Sequence, residues 1–295
     1  MTRNITIGLI QHACSSDPVE NLNASIHGIE TAAANGAQLI VLPELHRSHY
    51  FCQTVDATNF DLSESIPGPT TTVFSKLAKQ LKVVITASLF ERRAAGIYHN
   101  TAAIIDADGD IAGIYRKMHI PDDPGYYEKY YFTPGDLGFT PITTSIGKIG
   151  VLVCWDQWYP EAARIMALNG ADLLVIPTAI GWDQNDSDAE QHRQHDAWMT
   201  IQRAHAIANG LPIAVCNRTG YEPDPSNQTS GITFWGTSFA AGAQGEILTQ
   251  CSPDKPISQT VTINLERSEQ IRRTWPYFRD RRIDAYQHIL LRNRD

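Results

Sequence analysis

The chain has no run approaching the ~18 consecutive apolar residues of a membrane-spanning helix, so no membrane partner is expected. It also has no CxxC pair: its five cysteines, at 14, 52, 154, 216 and 251, are odd in number and widely spread. That spread argues against a disulfide framework or a cysteine zinc site and for a reduced, cytoplasmic protein. A basic stripe is absent too, and a net charge of −8 leaves nucleic-acid binding without electrostatic support while remaining compatible with a cationic small substrate. The opening MTRNITIGLIQHA has a short apolar run but no small-residue cleavage site, and it alternates as a strand does, so no signal peptide is expected. No Pro/Gly/Ser-rich linker divides the chain. One domain over residues 1–264 is therefore expected, with 265–295 as its tail.

What the chain does have is apolar residues, 42% of the total, enough for a substantial core. Strand and helix patterns alternate throughout, the signature of an α/β architecture. Strands are expected at Ile5–His12, Gln38–Leu42 and Val83–Phe90, helices at Asn21–Asn35 and Thr71–Leu81. A hairpin turning at Asp108-Gly109 follows. The second half restarts with strand Lys148–Val153, helix Pro160–Leu168, strand Asp172–Ile176, helix Ala189–Ala208, strand Ile213–Asn217 and another hairpin. The segments Asp183–Asp188 and Tyr221–Ser230 read as loops. NGAQLIVLPE (35–44) matches NGADLLVIPT (169–178), an internal repeat of helix end, link, apolar strand and proline. Two such β-α-β-α-β-hairpin halves imply two sheets packed face to face with helices outside, a four-layer αββα sandwich.

Within that repeat, the first half carries Glu44 where the second has Thr178. A carboxylate following a buried strand emerges at the strand's carboxyl end, where open α/β sheets place their sites. An ordinary exposed glutamate is the plain alternative. The first hairpin ends in Arg116-Lys117, whose side chains point to opposite faces, so at most one faces a site; a solvated edge lysine is the other reading. Cys154 ends the apolar run GVLVC. A free thiol titrates near 8.5, and an ammonium or helix N-terminus would lower that value. Cys154 is either a nucleophile at a strand-to-helix elbow, before a helix led by Pro160 and Glu161, or a buried structural cysteine, as Cys216 is read to be.

Glu, Lys and Cys at the ends of three strands lead to a resemblance. LIVLPEL, YRKMHIPDDPGYYEKYYFTPGD and GVLVCWDQWYPEAARIMALNGAD resemble the glutamate, lysine and cysteine segments of the nitrilase superfamily of carbon–nitrogen hydrolases. The resemblance covers almost the whole chain. It implies an αββα sandwich, a Glu44–Lys117–Cys154 triad and a second pocket glutamate at Glu128. It also implies association through the face carrying the cysteine helix. TAIGWDQND, ITFWGTSFAAGAQGEI and WPYFRDRRIDAYQHI are most similar to the branch acting on N-carbamoylputrescine. A related N-carbamoyl compound or an ω-amide is the alternative substrate. No arginine follows the cysteine, as it does in relatives that hold a carboxylate there, and Asp156, Asp183 and Asp186 nearby would favour an ammonium. Asp183 is the candidate for a distal amine and Tyr50 for a cation–π contact, though both read equally as loop residues. Trp155, through its backbone N–H, and Thr178 are further candidate substrate contacts. No metal or organic cofactor is expected.

A metal-dependent amidohydrolase is the rival reading, resting on His46/His49 and on His192/His195 with Asp196. A catalytically dead binding subunit is a third. The arginine-rich tail carries Trp275, Phe278 and Tyr286, costly to leave in water, and is either a solvated arm or one that packs on a partner subunit, giving a homo-oligomer.

Overall fold

In a computed structural model of the chain, residues 3–227 and 229–294 are described. Strand β1 (Asn4–Gln11) leads through helix α1 (Pro18–Ala34), β2 (Leu39–Val41) and α2 (Pro69–Leu81) to β3 (Val84–Ala94), β4 (Ile97–Ile105) and β5 (Ile111–Arg116). A short helix α3 (Glu128–Tyr131) precedes β6 (Ile142–Thr144), β7 (Gly147–Val151), α4 (Pro160–Leu168), β8 (Leu173–Pro177), β9 (Gly181–Trp182) and α5 (Asp188–Asn209). Strands β10 (Ile213–Cys216), β11 (Thr219–Glu222), β12 (Ile232–Trp235), β13 (Phe239–Ala241), β14 (Ile247–Gln250) and β15 (Ile257–Asn264) follow, then helix α6 (Glu266–Thr274).

Two six-stranded sheets result, ordered β15-β1-β2-β3-β4-β5 and β14-β13-β10-β8-β7-β6. Side chains alternate across β2 as a strand requires. Leu39 and Val41 join the core between the sheets, whereas Ile40 and Leu42 pack with Ile29, Phe74 and Leu77 beneath α1 and α2. On the second sheet, α4 and α5 contribute Ala162, Met166, Trp198 and Ala206 to the core. The fold is the αββα sandwich expected from the repeat. Each fully buried Leu, Ile or Val in these layers contributes roughly 1.5–3 kcal/mol.

The repeat is built alike in both halves. Asn35 caps α1 and Asn169 caps α4; Gly36 (φ 85°) and Gly170 (φ 87°) then take the left-handed turn that a Cβ would strain. The strands that follow, β2 and β8, lie inside their respective sheets, so both repeat ends are delivered to the same level of the sandwich. There the Glu44 N–H donates to the Thr178 carbonyl at 3.3 Å.

Several boundaries differ from expectation. Helix α1 starts at Pro18 because the Asp17 side chain accepts from the Val19 N–H and proline suits a first turn. Tyr221 and Glu222, expected in a loop, form β11 in a third sheet, β11-β12-β9. Helix α4 begins at Pro160 as expected, and Cys154 opens the 3₁₀ turn, Cys154–Trp158, that precedes it. Along the tail, Phe278 packs between the guanidinium groups of Arg164 and Arg272. Trp275 (53%), Ile283 (73%) and Leu290 (89%) are exposed. Among the described residues no helix is long and apolar enough to cross a membrane.

Candidate active site

Beyond β2, Pro43 offers no N–H to the sheet and Leu45 takes a positive φ of 47°, so the chain turns sharply at Glu44. The Glu44 side chain is fully buried. Its Oε1 accepts from Lys117 Nζ at 2.8 Å and from Asn100 Nδ2 at 2.7 Å, while Oε2, equally buried, has no partner among the described residues. Lys117 arrives at the end of β5, its N–H held by the Asn100 carbonyl at 2.9 Å. Arg116 points to the other face, where it pairs with Glu91 and Asp136. The Lys117 ammonium also donates to both oxygens of Glu128, at 2.7 and 2.9 Å. Glu128, at the start of α3, accepts in addition from the Tyr50 hydroxyl at 2.6 Å.

Two carboxylates therefore share one ammonium in a buried site. Burial works against the charged Lys117, yet Glu128 and then Glu44 hold its pKa well above the ordinary lysine value. Burial is also the main reason Glu128 is pushed up to about 7, with Lys117 opposing and Glu44 adding. The Cys154 thiol lies within electrostatic reach of all three. Burial, reinforced by Glu44 and opposed by Lys117, raises it well above the usual thiol range. Cys154 thus rests as a thiol, contrary to the lowering expected from a nearby ammonium and a following helix N-terminus, because burial outweighs the opposing Lys117 charge. Its φ of 44° is one of few positive values at non-glycine residues here, and its sulfur sits 3.8 Å from the Ala179 carbonyl.

Cys154 opens onto a cavity of about 460 Å3. Trp155, Trp158, Trp182 and Trp235 line its walls, and Asp123, Asp183 and Asp186 are the charged residues among the described lining; no Lys, Arg or His contributes. Asp183 closes its own turn, Oδ1 accepting from the Asn185 N–H and side-chain amide, and Asp186 is held by Gln194 Nε2 at 2.7 Å.

The carbon-nitrogen hydrolase family model matches residues 6–273. The chain belongs to the carbon–nitrogen hydrolases. It is 43% identical over 290 residues to an N-carbamoylputrescine amidase of Arabidopsis thaliana, covering 98% of this chain and 96% of that one. A citrullinase of Francisella tularensis is 40% identical over 97% of this chain and 98% of its own. The crystal structure of a carbon-nitrogen hydrolase from Helicobacter pylori G27 superposes with a TM-score of 0.96 at 52% identity, covering 99% of this chain and 100% of that one. This carbon–nitrogen hydrolase is an enzyme that cleaves non-peptide C–N bonds of small amide substrates.

Of the residues singled out in the sequence, the hydrolase fold brings Glu44, Lys117, Glu128 and Cys154 together and sets Trp155 and Asp183 on the cavity wall. Tyr50 and Thr178 are placed elsewhere. The Tyr50 ring is fully buried, with its hydroxyl on Glu128, so it reaches no distal amine. The Thr178 hydroxyl turns away to the Ile176 carbonyl and Gln157. Asp156 does not face the cavity either: it accepts from Tyr115, the Val153 N–H and the backbone N–H of His119, and bonds His119 Nδ1, tying the lysine strand to the cysteine turn.

The paired histidines do not converge. His46 bonds Ser25 and stacks on Phe74, His192 bonds the Asp188 carbonyl, and His195 packs against Trp182, Trp198 and Trp235. No group of three or more His, Cys, Asp or Glu among the described residues is arranged to hold a metal ion. Sequence reasoning passed over Asn100 and Arg218, and it read Asp156 as a pocket charge. The first had a visible cue, an amide inside the otherwise apolar strand end NTAAII. Arg218 is fully buried and its guanidinium donates to Glu222, to the Glu44 and Ser48 carbonyls at 3.0 and 2.9 Å, and to the Leu45 carbonyl.

Proposed function

We propose that this hydrolase converts N-carbamoylputrescine to putrescine, ammonia and carbon dioxide by thiol chemistry at Cys154. Glu44 Oε2 takes the thiol proton as sulfur bonds to the ureido carbonyl carbon. Charge moves to the carbonyl oxygen, met by Lys117 and the Trp155 backbone N–H; one such donor contributes about 3–4 kcal/mol. As the C–N bond breaks, Glu44 returns the proton to the departing nitrogen. Water, deprotonated by the same carboxylate, then attacks the carbonyl carbon; as the S–C bond breaks Glu44 returns that proton to the sulfur, and the carbamic acid released decomposes to carbon dioxide and the second amine. Glu128 holds the Lys117 ammonium in place.

The observation that carries this reading is a buried, unpartnered carboxylate oxygen on Glu44, within electrostatic reach of a thiol that burial keeps protonated. That thiol lines a cavity whose charged walls are all acidic among the described residues. A citrulline-type substrate is the second reading, favoured by the citrullinase relative. Its α-carboxylate would meet Asp123, Asp183 and Asp186 with no facing cation, which argues for the amine. Ammonia release from N-carbamoylputrescine, citrulline, N-carbamoyl-β-alanine and an ω-amide decides the matter. The expected order places N-carbamoylputrescine first in kcat/KM, and preference for N-carbamoyl-β-alanine overturns the amine pocket.

Residues 1–264 are read as one catalytic unit, and the exposed apolar side chains of the tail as an arm covered by a second copy. The five free, buried thiols fit a reducing cytoplasm.

A further inference from the structure

We propose that Asn100 is a positioning residue for the base: it pins one oxygen of Glu44 so that the other alone receives the cysteine proton. This rests on the reading of Glu44 as base. Asn100 is fully buried on β4, between Phe90 of β3 and the chain that carries Lys117. Every polar atom of its amide is committed. The Nδ2 donates to Glu44 Oε1 at 2.7 Å, and Oδ1 accepts from the Ser88 hydroxyl at 2.9 Å. That hydroxyl in turn accepts from the Leu45 N–H at 3.2 Å. A ring therefore closes from Leu45 through Ser88 and Asn100 to the carboxylate of Glu44, the residue bonded to Leu45.

The ring fixes more than a loop. An ionised carboxylate free to rotate would offer either oxygen to the thiol. Here Oε1 is saturated by Asn100 and Lys117, and Oε2 remains buried and open. The Asn100 carbonyl also anchors the Lys117 N–H at 2.9 Å, so one strand residue sets the mutual geometry of base and ammonium. Ser88 transmits the constraint from the sheet to the turn at Leu45, whose positive φ needs external support.

The test compares Asn100→Leu and Ser88→Ala with the parent, using Glu44→Gln and Cys154→Ala as controls. It reads kcat and KM for ammonia release per titrated active site. In parallel it reads the iodoacetamide alkylation rate of Cys154, corrected with Cys154→Ala, and thermal unfolding. Asn100→Leu is expected to lower kcat about a hundredfold, as for a base displaced by an ångström, with alkylation slowed in parallel and KM within about twofold. Ser88→Ala is expected to lower both rates about tenfold. Folded Asn100→Leu with parental kcat and alkylation overturns the proposal, as does a loss of kcat that site titration fully accounts for. Should Asn100→Leu not fold, unchanged rates in Ser88→Ala overturn it instead. Parental rates in Glu44→Gln would sink the base reading itself, whereas losses there beside parental rates in both ring variants sink only the role of Asn100.

Discussion

Two buried ion clusters adjoin in this molecule, Lys117 with Glu44 and Glu128, and Arg218 with Glu222. Both are as dry as the hydrophobic core, and both bind segments far apart in sequence. They differ in how fully their atoms are used. Arg218 spends its donors on Glu222 and three backbone carbonyls, and the second oxygen of Glu222 accepts from the Tyr50 N–H at 2.5 Å. The lysine cluster leaves Glu44 Oε2 open. A completed network holds the chain in place, whereas an incomplete one, propped by its completed neighbour, keeps an acceptor ready for a proton.

The largest expected effect sharpens that contrast. Cys154→Ala should lower kcat about 10⁶-fold, the scale of losing a nucleophile, while the unfolding midpoint holds or rises because a buried thiol beside Glu44 is gone. A lowered midpoint would mean the reactive cluster is also structural. Arg218→Met is expected to do the reverse. It strands Glu222 and three carbonyls, and urea unfolding should show a loss of about 3–5 kcal/mol. Parental stability with lost activity per folded molecule would break the comparison.

Tyr50→Phe probes the seam between the clusters. It removes a donor from the charged form of Glu128, which burial has already pushed up to about 7, so Glu128 should titrate higher still. The acid limb of kcat/KM should then move upward by about half to one unit. A group raised above its unfolded value contributes stability below that value and loses it as pH rises through the folded one. The variant should therefore be nearly as stable as the parent at pH 5 and about 1 kcal/mol less stable at pH 8. Equal losses at both values would place the hydroxyl's role outside Glu128. The groups facing Glu128 in that titration are Lys117, Glu44, Tyr50, Cys52, Tyr126 and Cys154.

The layers of the fold were legible because alternation in β1, β2 and β8 and the helix-ending Asn-Gly pairs are local signals. Glu44 stood out for a related reason: the repeat sets a carboxylate after the shared proline in one copy against a threonine in the other. Arg218, by contrast, acts on carbonyls about 170 residues away, and no periodicity encodes such a pairing. Strands β9 and β12 are two and four residues long, too short for alternation to distinguish them from loops. The state of Cys154 was misjudged because a thiol's pKa depends on how dry its surroundings are, and burial outweighed the charges that the sequence suggested.

The hydrogen bond from Glu44 to Thr178 carries a consequence for how such a chain can arise. It joins the main chains of the two copies of the repeat at corresponding positions. A perfectly duplicated chain would bury a further carboxylate at position 178, where the Thr178 hydroxyl now meets Gln157 and the Ile176 carbonyl rather than a cation. Divergence at this position is thus a condition of stability before it is a refinement of chemistry. Of the two strand ends that meet there, one carries the charge and the other stays neutral.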